Sequence, residues 1–285
     1  MKLIALDLDG TTLNSKNIIS KENLDAIQGA QEQGHIVMVL SGRALTEIKP
    51  ELEKYGLKCH IGANNGASLY VNDSLEQMIV LQPDQVQPIA LELDKEYIPF
   101  MLSTNKGVLA PSNWDERLDN VFSSPNLSEV SFPNIDLNMA KTFHKQYEIS
   151  HFDQLDDILQ DKSYTVQKIF GIALDLKQRM RLETFLNSID GINIASTSFY
   201  FDIMHHQASK GNALKYMADY LNVPLEDTVA IGDESNDISM FNIAGLSVAM
   251  ENASDDIKKH SDVVTLSNDN HGVAYAINNY VLHTK

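Results

Sequence analysis

The first strand predicted in this chain of 285 residues ends directly in a pair of acids. Leu3 to Leu6 is a continuous apolar run, typical of a strand buried on both faces of a parallel sheet, and Asp7, Asp9 and Gly10 follow it. Side chains two residues apart project to the same side of an extended chain, so Asp7 and Asp9 could face one small site. Taken alone, an Asp-x-Asp pair can equally be the ordinary polar end of a strand. The rest of the chain must decide between these two interpretations.

Two further apolar runs, Ile36 to Leu40 and Thr228 to Ile231, also end in polar residues, and another polar group opens a predicted helix. The carboxyl ends of parallel strands line one crevice of an open α/β sheet. We therefore expect the following residues to gather near Asp7 and Asp9: Ser41, Gly42, Arg43, Lys210, Asp233, Asn236 and Asp237.

The order of predicted elements indicates one α/β domain that is interrupted by an insert. Strands and helices alternate up to about Leu81, and the alternation resumes near Ser209. Between them, helices and paired strands follow each other without that alternation, which is typical of an α+β domain. We predict a parallel-sheet core formed by residues 1–81 and 200–285, with an α+β insert over residues 82–199.

Composition excludes several classes of partner. The formal charge of -17 repels phosphate backbones and anionic lipids, so neither nucleic acid nor a membrane is expected as a partner. No apolar run approaches 18 residues and no signal-peptide pattern precedes the first strand, so we expect a cytoplasmic protein. The single cysteine, Cys59, excludes an internal disulfide and a cysteine-based metal cluster.

The gathered residue types favour phosphate chemistry. A carboxylate cluster without histidine or cysteine suits a hard cation, and Mg²⁺ fits it better than Zn²⁺. A hydroxyl, an ammonium group and backbone amides beside such a cation suit phosphate oxygens. Phosphoryl transfer depends mainly on positioning and charge neutralisation, and a carboxylate can serve as its nucleophile.

In these motifs the sequence resembles the haloacid dehalogenase superfamily of phosphohydrolases, specifically its Cof-like branch, which carries a large α/β cap between the second and third motifs. The four motifs occur in the family's order as Asp7-Leu8-Asp9-Gly10-Thr11, Leu40-Ser41-Gly42-Arg43, Ser209-Lys210-Gly211 and Gly232-Asp233-Glu234-Ser235-Asn236-Asp237. Asn65-Gly66-Ala67 matches a further family stretch. Thr12 departs from the pattern, because the family usually has an apolar residue there. The resemblance implies a Rossmann-like core with the insert as its cap.

The resemblance also implies roles for individual residues. Asp7 would be the nucleophile and a Mg²⁺ ligand. Asp9 would protonate the leaving group and then deprotonate water, while its backbone carbonyl binds the metal. Asp233 would complete the metal site, and Asp237 would support it directly or through water.

The remaining motif residues would bind the substrate. The phosphate oxygens would be bound by the Leu8 amide, the Ser41 hydroxyl, the Gly42 amide, Lys210 and Asn236. Arg43 would contact substrate, face the cap, or pair with a surface carboxylate.

From this resemblance we expect a Mg²⁺-dependent phosphatase that acts on small phosphorylated metabolites, such as sugar phosphates, as a monomer or weak homodimer. Two alternatives remain open on the sequence. A sugar phosphomutase would keep all four motifs, and a non-catalytic regulator would bind a phosphorylated metabolite without turning it over. The intact Asp7 and Asp9 pair argues against the regulator, since pure binding needs no nucleophile beside an acid.

Overall fold

The structure, a computed structural model, describes residues 1–123, 149–196 and 200–282. The chain divides into two compact units, Met1–Met78 with Ala208–Lys285, and Ile79–Gln207. Within the described ranges, no helix combines the length and apolarity needed to cross a membrane.

The described residues form fourteen strands and ten α-helices, numbered here in chain order. The strands are Leu3–Leu6 (β1), Ile36–Leu40 (β2), His60–Ala63 (β3), Ser68–Val71 (β4), Ser74–Met78 (β5), Phe100–Thr104 (β6), Gly107–Pro111 (β7), Ile149–Phe152 (β8), Val166–Ile172 (β9), Ile192–Ser196 (β10), Tyr200–His205 (β11), Thr228–Gly232 (β12), Leu246–Ala249 (β13) and Val263–Val264 (β14). The α-helices are Lys21–Glu32 (α1), Leu45–Glu53 (α2), Pro83–Lys95 (α3), Trp114–Phe122 (α4), Leu155–Gln160 (α5), Leu176–Leu186 (α6), Lys210–Tyr220 (α7), Ile238–Phe241 (α8), Asp255–Lys258 (α9) and Gly272–Ala276 (α10).

The first unit is built on one sheet with the strand order β14-β13-β12-β1-β2-β3-β4-β5. The strands from β14 to β3 pair in parallel, whereas β4 and β5 add an antiparallel edge. In the centre, Leu3 of β1 lies in register with Ile36 of β2 on one side and Thr228 of β12 on the other. The parallel-sheet α/β core predicted from the sequence is confirmed.

The continuous apolar runs have a direct structural reason. In β1, Ile4 and Leu6 join one hydrophobic cluster, which includes Ile27 of α1, while Leu3 and Ala5 join another, which includes residues of α7. Successive side chains of a strand point to opposite faces, so a strand covered by helices on both sides must be apolar at every position. Each fully buried leucine or isoleucine contributes roughly 1.5–3 kcal/mol to folding.

The second unit has a separate sheet, with the order β10-β11-β9-β6-β7-β8. Its pairings are antiparallel apart from β7 with β8. Leucines and isoleucines of α3 and α6 pack with Phe100, Ile169 and Phe201 in one cluster of this unit. Mostly antiparallel strands with helices packed on them form the α+β arrangement expected for the insert.

The unit boundaries differ by a few residues from those predicted. Tyr200–His205, which the sequence assigned to the core, pairs with β9 and β10 and therefore belongs to the second unit. At the other boundary, the Leu81 N–H donates to the Val166 carbonyl at 2.8 Å, which places the segment before α3 in the second unit as well. Both boundaries are set by pairing with β9, which lies far from each boundary segment in the sequence. Residues 124–148 and 197–199 of the predicted insert lie outside the described residues, as do residues 283–285 of the predicted core.

Candidate active site

The strand order places the acidic motifs side by side. Asp7 follows β1, Ser41 follows β2 and Asp233 follows β12, and β1 lies between the other two strands in the sheet. All three strands run in the same direction, so their carboxyl ends meet at one edge. The polar groups that the sequence analysis expected to gather come from these strand ends and from the first turn of α7.

A buried group of charges lies at this edge. Asp7, Asp233 and Asp237 each place one carboxylate oxygen within 4.8 Å of the others. Lys210, only 1% exposed, donates to Asp7 and, at 2.6 Å, to Oδ1 of Asp237. Three carboxylates face one ammonium group, so full ionisation leaves an excess of negative charge that a cation or protons must offset.

The pKa values of these groups follow from their burial. Burial raises the pKa of Asp7 well above its usual value against the influence of Lys210, and the charges of Asp237, Asp233 and Asp9 add to the increase. Burial also raises the pKa of Asp233 to about 7, although the hydrogen bond from Thr11 opposes this. Burial acts to lower the pKa of Lys210, but Asp237 and Asp7 outweigh it, so the pKa is raised and the ammonium stays charged. Perturbed carboxyl groups beside a fixed cation are typical of catalytic sites.

Asp237 serves as an anchor in this arrangement. Its Oδ2 accepts from the backbone N–H groups of Asp233 and Glu234 at 2.8 and 2.9 Å, while its Oδ1 accepts from Lys210. Both oxygens are therefore engaged with protein donors. Asp237 is fully buried and accepts three hydrogen bonds, one of them from a charged lysine, whereas Asp233 accepts only one from a neutral side chain on each oxygen. Of the two roles considered for Asp237, this difference favours indirect support of a metal site over direct ligation.

Asp9 lies apart from the buried group. The chain turns at Gly10, which has φ +74°, and a Cβ there would overlap the Asp233 carboxylate. The Asp9 side chain is 51% exposed, and both of its oxygens accept from Arg43, with Nε at 2.9 Å from Oδ2. Of the roles considered for Arg43, the structure shows pairing with a carboxylate, and that carboxylate is the predicted acid/base.

The predicted phosphate-binding residues lie on loops at the same edge. The Ser41 hydroxyl oxygen accepts from the Arg43 N–H at 3.1 Å, so the hydroxyl retains its hydrogen as a donor. Asn236 donates through Nδ2 to Oδ1 of Asn65 at 2.9 Å. Leu8 lies between Asp7 and Asp9 in the sequence, and its side chain packs into the hydrophobic core. Gly42 follows Ser41 after the end of β2.

Three polar residues at the site make contacts that were not predicted from the sequence. The Thr11 hydroxyl donates to Oδ1 of Asp233 at 2.7 Å, and the Thr12 hydroxyl donates to the Asp7 carbonyl at 2.6 Å. Asn252 donates to the Gly10 carbonyl at 2.9 Å and to Oδ2 of Asp233 at 3.3 Å. Asn252 follows β13, which neighbours β12 in the sheet. Its position just after a parallel strand was the one sequence signal that could have placed it at the site. The hydroxyl of the unusual Thr12 makes a hydrogen bond to the Asp7 carbonyl that an apolar side chain could not make.

The donor set fits a hard divalent cation. Asp7, Asp233 and Asp237 supply oxygen only, and no histidine or cysteine belongs to this group. In the described part of the chain, no donor reaches the second carboxylate oxygen of Asp7. Asp7 and Asp233 therefore offer carboxylate oxygens on neighbouring strands, which is what a Mg²⁺ site needs.

Comparison with known proteins gives one consistent result. The family model for haloacid dehalogenase-like hydrolases matches residues 4–277. The protein named phosphatase YwpJ from Bacillus subtilis (strain 168) is 35% identical, and the alignment covers 96% of this chain and 98% of that protein.

Two further similarities agree with this match. A protein of the same organism, named 5-amino-6-(5-phospho-D-ribitylamino)uracil phosphatase YwtE, is 33% identical over 97% of each chain. Among solved structures, a haloacid dehalogenase-like hydrolase from B. subtilis superposes with a TM-score of 0.86 at 32% identity, covering 99% of this chain and 100% of that one.

Proposed function

The chain belongs to the haloacid dehalogenase-like hydrolase family and is a phosphomonoester hydrolase, and from this premise we propose that it dephosphorylates small metabolites through an aspartyl-phosphate on Asp7. One observation supports this mechanism above the others. The Asp7 carboxylate is 5% exposed, contacts Lys210, and keeps an oxygen that no described residue engages. A buried carboxylate next to a fixed cation is suited to nucleophilic attack on an anionic phosphate.

The first half-reaction transfers the phosphoryl group to the protein. A carboxylate oxygen of Asp7 bonds to phosphorus while the bond from phosphorus to the leaving oxygen breaks. We assign Asp9 as the acid that delivers a proton to the leaving oxygen. Arg43 holds the Asp9 carboxylate at the open side of the site, where a leaving group can meet it.

The second half-reaction returns Asp7 to its starting form. A water molecule attacks phosphorus, Asp9 takes one of the protons of that water, and the bond from phosphorus to Asp7 breaks. Inorganic phosphate leaves, and Asp9 is protonated again for the next turnover. Asp7 must attack as an anion, and the Lys210 ammonium group beside it favours that charged form against the burial that raises the pKa of Asp7.

The surrounding donors would hold the phosphoryl oxygens. We assign this role to the Ser41 hydroxyl, the backbone amides of Leu8 and Gly42, the Lys210 ammonium group and the Asn236 amide. Positioning and charge neutralisation account for most of the catalysis of phosphoryl transfer. Asp237 contributes by holding Lys210 in place.

Asp7 and Asp233 would hold a Mg²⁺ ion together with the backbone carbonyl of Asp9. The bound ion would supply positive charge that offsets the excess of carboxylates and neutralises charge developing on the phosphoryl group. Thr11 and Asn252 orient Asp233 for this role through its two oxygens.

Phosphate release is the direct test of the proposed function. We expect release from a subset of a panel of sugar phosphates, nucleotides and 5-amino-6-(5-phospho-D-ribitylamino)uracil in the presence of Mg²⁺, and none in EDTA. The last compound is included because one relative is named for it. An isomeric hexose phosphate appearing in place of free phosphate would instead indicate a mutase, and release that persists in EDTA would contradict the metal requirement.

The raised pKa of Asp233 predicts how the metal-free protein responds to pH. Asp233 keeps its proton up to about pH 7 in the folded chain, but only up to about pH 4 in the unfolded chain. Since the folded state binds more protons between these values, stability falls as pH rises from about 4 to about 7 and then levels off. In EDTA, the stability of the wild type should fall across this window relative to Asp233→Asn by on the order of 3 kcal/mol, and its melting temperature by roughly 6–12 °C.

Asp262→Asn is the matched control for this pH series. The backbone N–H and hydroxyl of Ser247 lower the pKa of Asp262, so its contribution is lost only as pH falls below about 4. Asp262→Asn should leave the slope between pH 5 and 8 unchanged. Parallel melting curves for the wild type and Asp233→Asn across that range would contradict the prediction.

A further inference from the structure

A three-residue turn, Asn64–Gly66, contacts three of the segments that carry predicted phosphate-binding residues, namely the loop after β2, the start of α7 and the loop after β12. It joins β3 to β4, and all three residues have positive φ values of 50°, 56° and 86°. Asn is among the few residues that adopt this left-handed conformation readily, and Gly adopts it without cost. Asn65-Gly66-Ala67 matches a stretch of the family, but the resemblance implied no function for these residues.

The backbone of the turn holds the loop after β2. The Asn65 N–H donates to the Ser41 carbonyl at 2.8 Å, and the Asn64 N–H donates to the Arg43 carbonyl at 2.8 Å. The first bond fixes the peptide unit between Ser41 and Gly42, and the second fixes the unit between Arg43 and Ala44. The positions of the Ser41 hydroxyl and the Gly42 amide are therefore set from this turn.

The end of the turn packs against the start of α7. A Cβ on Gly66 would lie 2.6 Å from the Ser209 carbonyl oxygen and 2.7 Å from the Ala213 Cβ, so only glycine fits there. Lys210 follows Ser209 directly. This close approach fixes Asn65 against the helix that presents the ammonium group.

The side chain of Asn65 anchors Asn236. Asn65 is 2% exposed, and its Oδ1 accepts from Nδ2 of Asn236 at 2.9 Å. No donor among the described residues reaches Oδ1 of Asn236, so the hydrogen bond to Asn65 is what anchors that amide. An unanchored amide turns easily between its two orientations, because the terminal torsion of Asn has a broad, nearly two-fold profile.

The orientation of the Asn236 amide decides whether it attracts or repels an anion. With one N–H of Nδ2 bound to Asn65, the second N–H remains as a donor for a phosphate oxygen. In the reversed orientation the carbonyl oxygen would take that place and repel the phosphate. We propose that Asn65 is a positioning residue that orients the Asn236 amide and the Ser41 loop for phosphate binding. This inference rests on the proposed function for the identity of the ligand.

A double-mutant cycle with inorganic phosphate tests the inference without requiring turnover. Phosphate binding in the presence of Mg²⁺ is measured by calorimetry for wild type, Asn65→Gly, Asn236→Ala and the double variant. Glycine suits the backbone of residue 65, so this change removes the side chain without strain. We expect Asn65→Gly to weaken phosphate binding roughly tenfold, and the double variant to bind no more than about twofold more weakly than Asn236→Ala alone.

Asn222→Gly is the matched control. Asn222 follows α7 with φ 54°, and no described contact links it to the site, so the same substitution should leave phosphate affinity unchanged. Asn65→Ala has a different backbone preference and serves as the second variant if Asn65→Gly folds poorly. Its effect on phosphate affinity should likewise be non-additive with that of Asn236→Ala. In steady-state kinetics, the Asn65 variants should have a raised KM for the substrate and should be inhibited less strongly by phosphate.

The outcomes separate the inference from the proposed function. Additive effects in the cycle, or wild-type affinity in Asn65→Gly, would overturn the inference while hydrolysis by the wild type still supports the function. A non-additive cycle in a protein that hydrolyses no phosphomonoester would uphold the inference and overturn the function. Absence of phosphate binding by the wild type would overturn the inference, whereas the function is overturned only if the wild type releases no phosphate from the substrate panel.

Discussion

An Asp7→Asn variant is expected to lose phosphate release by roughly 10⁴-fold or more while keeping its fold. The amide has the shape of the carboxylate but is not a competent nucleophile, so no aspartyl-phosphate forms. It still offers an oxygen to Lys210, and Lys210 keeps its hydrogen bond to Asp237. Steady-state phosphate release with Mg²⁺ measures the loss, and thermal melting reports on the fold.

Asp25→Asn is the control for this substitution. Asp25 is an exposed residue of α1 that pairs with Lys21 at 2.5 Å, and its replacement should change neither activity nor melting temperature appreciably. Turnover by Asp7→Asn within tenfold of wild type would rule out Asp7 as the nucleophile. A collapse of the melting temperature would instead show that the carboxylate is needed for folding.

Replacing Lys210 with Met is expected to cost roughly 3–5 kcal/mol of stability as well as activity. The ammonium group is buried and donates to both Asp7 and Asp237, so its removal leaves two buried carboxylates without their shared partner. An unpaired buried charge is far more costly than an exposed pair, which is worth about 0–1 kcal/mol. Urea denaturation in EDTA measures the loss without a contribution from bound metal.

Two variants calibrate the effect of Lys210→Met. Lys215 lies on the same helix and forms an exposed pair with Asp219 at 3.1 Å, so Lys215→Met should cost less than about 1 kcal/mol. The double variant Lys210→Met/Asp237→Asn should recover part of the lost stability, because one orphaned carboxylate is then neutral. Equal costs for Lys210→Met and Lys215→Met would contradict the buried charge network.

Several features of the fold could be predicted because they depend on neighbouring residues. The apolar run of β1 and its acidic end were recognised from thirteen residues, and the structure places that strand in the middle of the sheet. An Asn-Gly pair favours a tight turn between paired strands, and Asn64–Gly66 joins the antiparallel strands β3 and β4. Local backbone preference and strand periodicity are sufficient for such predictions.

Contacts between distant parts of the chain were harder to predict. The roles of Thr11 and Asn252 depend on their distances from Asp233, which is 222 residues away from the first and 19 from the second. Likewise, Arg43 had three possible roles on the sequence, and only its position relative to Asp9 distinguished them. Residue types alone do not encode which of several available acceptors a donor reaches.

The family, the α/β class of the core and the residue types of a phosphate site could all be predicted from the amino-acid sequence alone. These are properties of short motifs, in which the order of apolar, acidic and glycine residues sets strand ends and turns. The tertiary structure decided that β12 lies beside β1, that Asp237 holds Lys210, and that Asn65 holds Asn236. Those contacts arise only when strands and helices from distant segments pack together, because packing sets the distances and burial on which hydrogen bonds and pKa values depend.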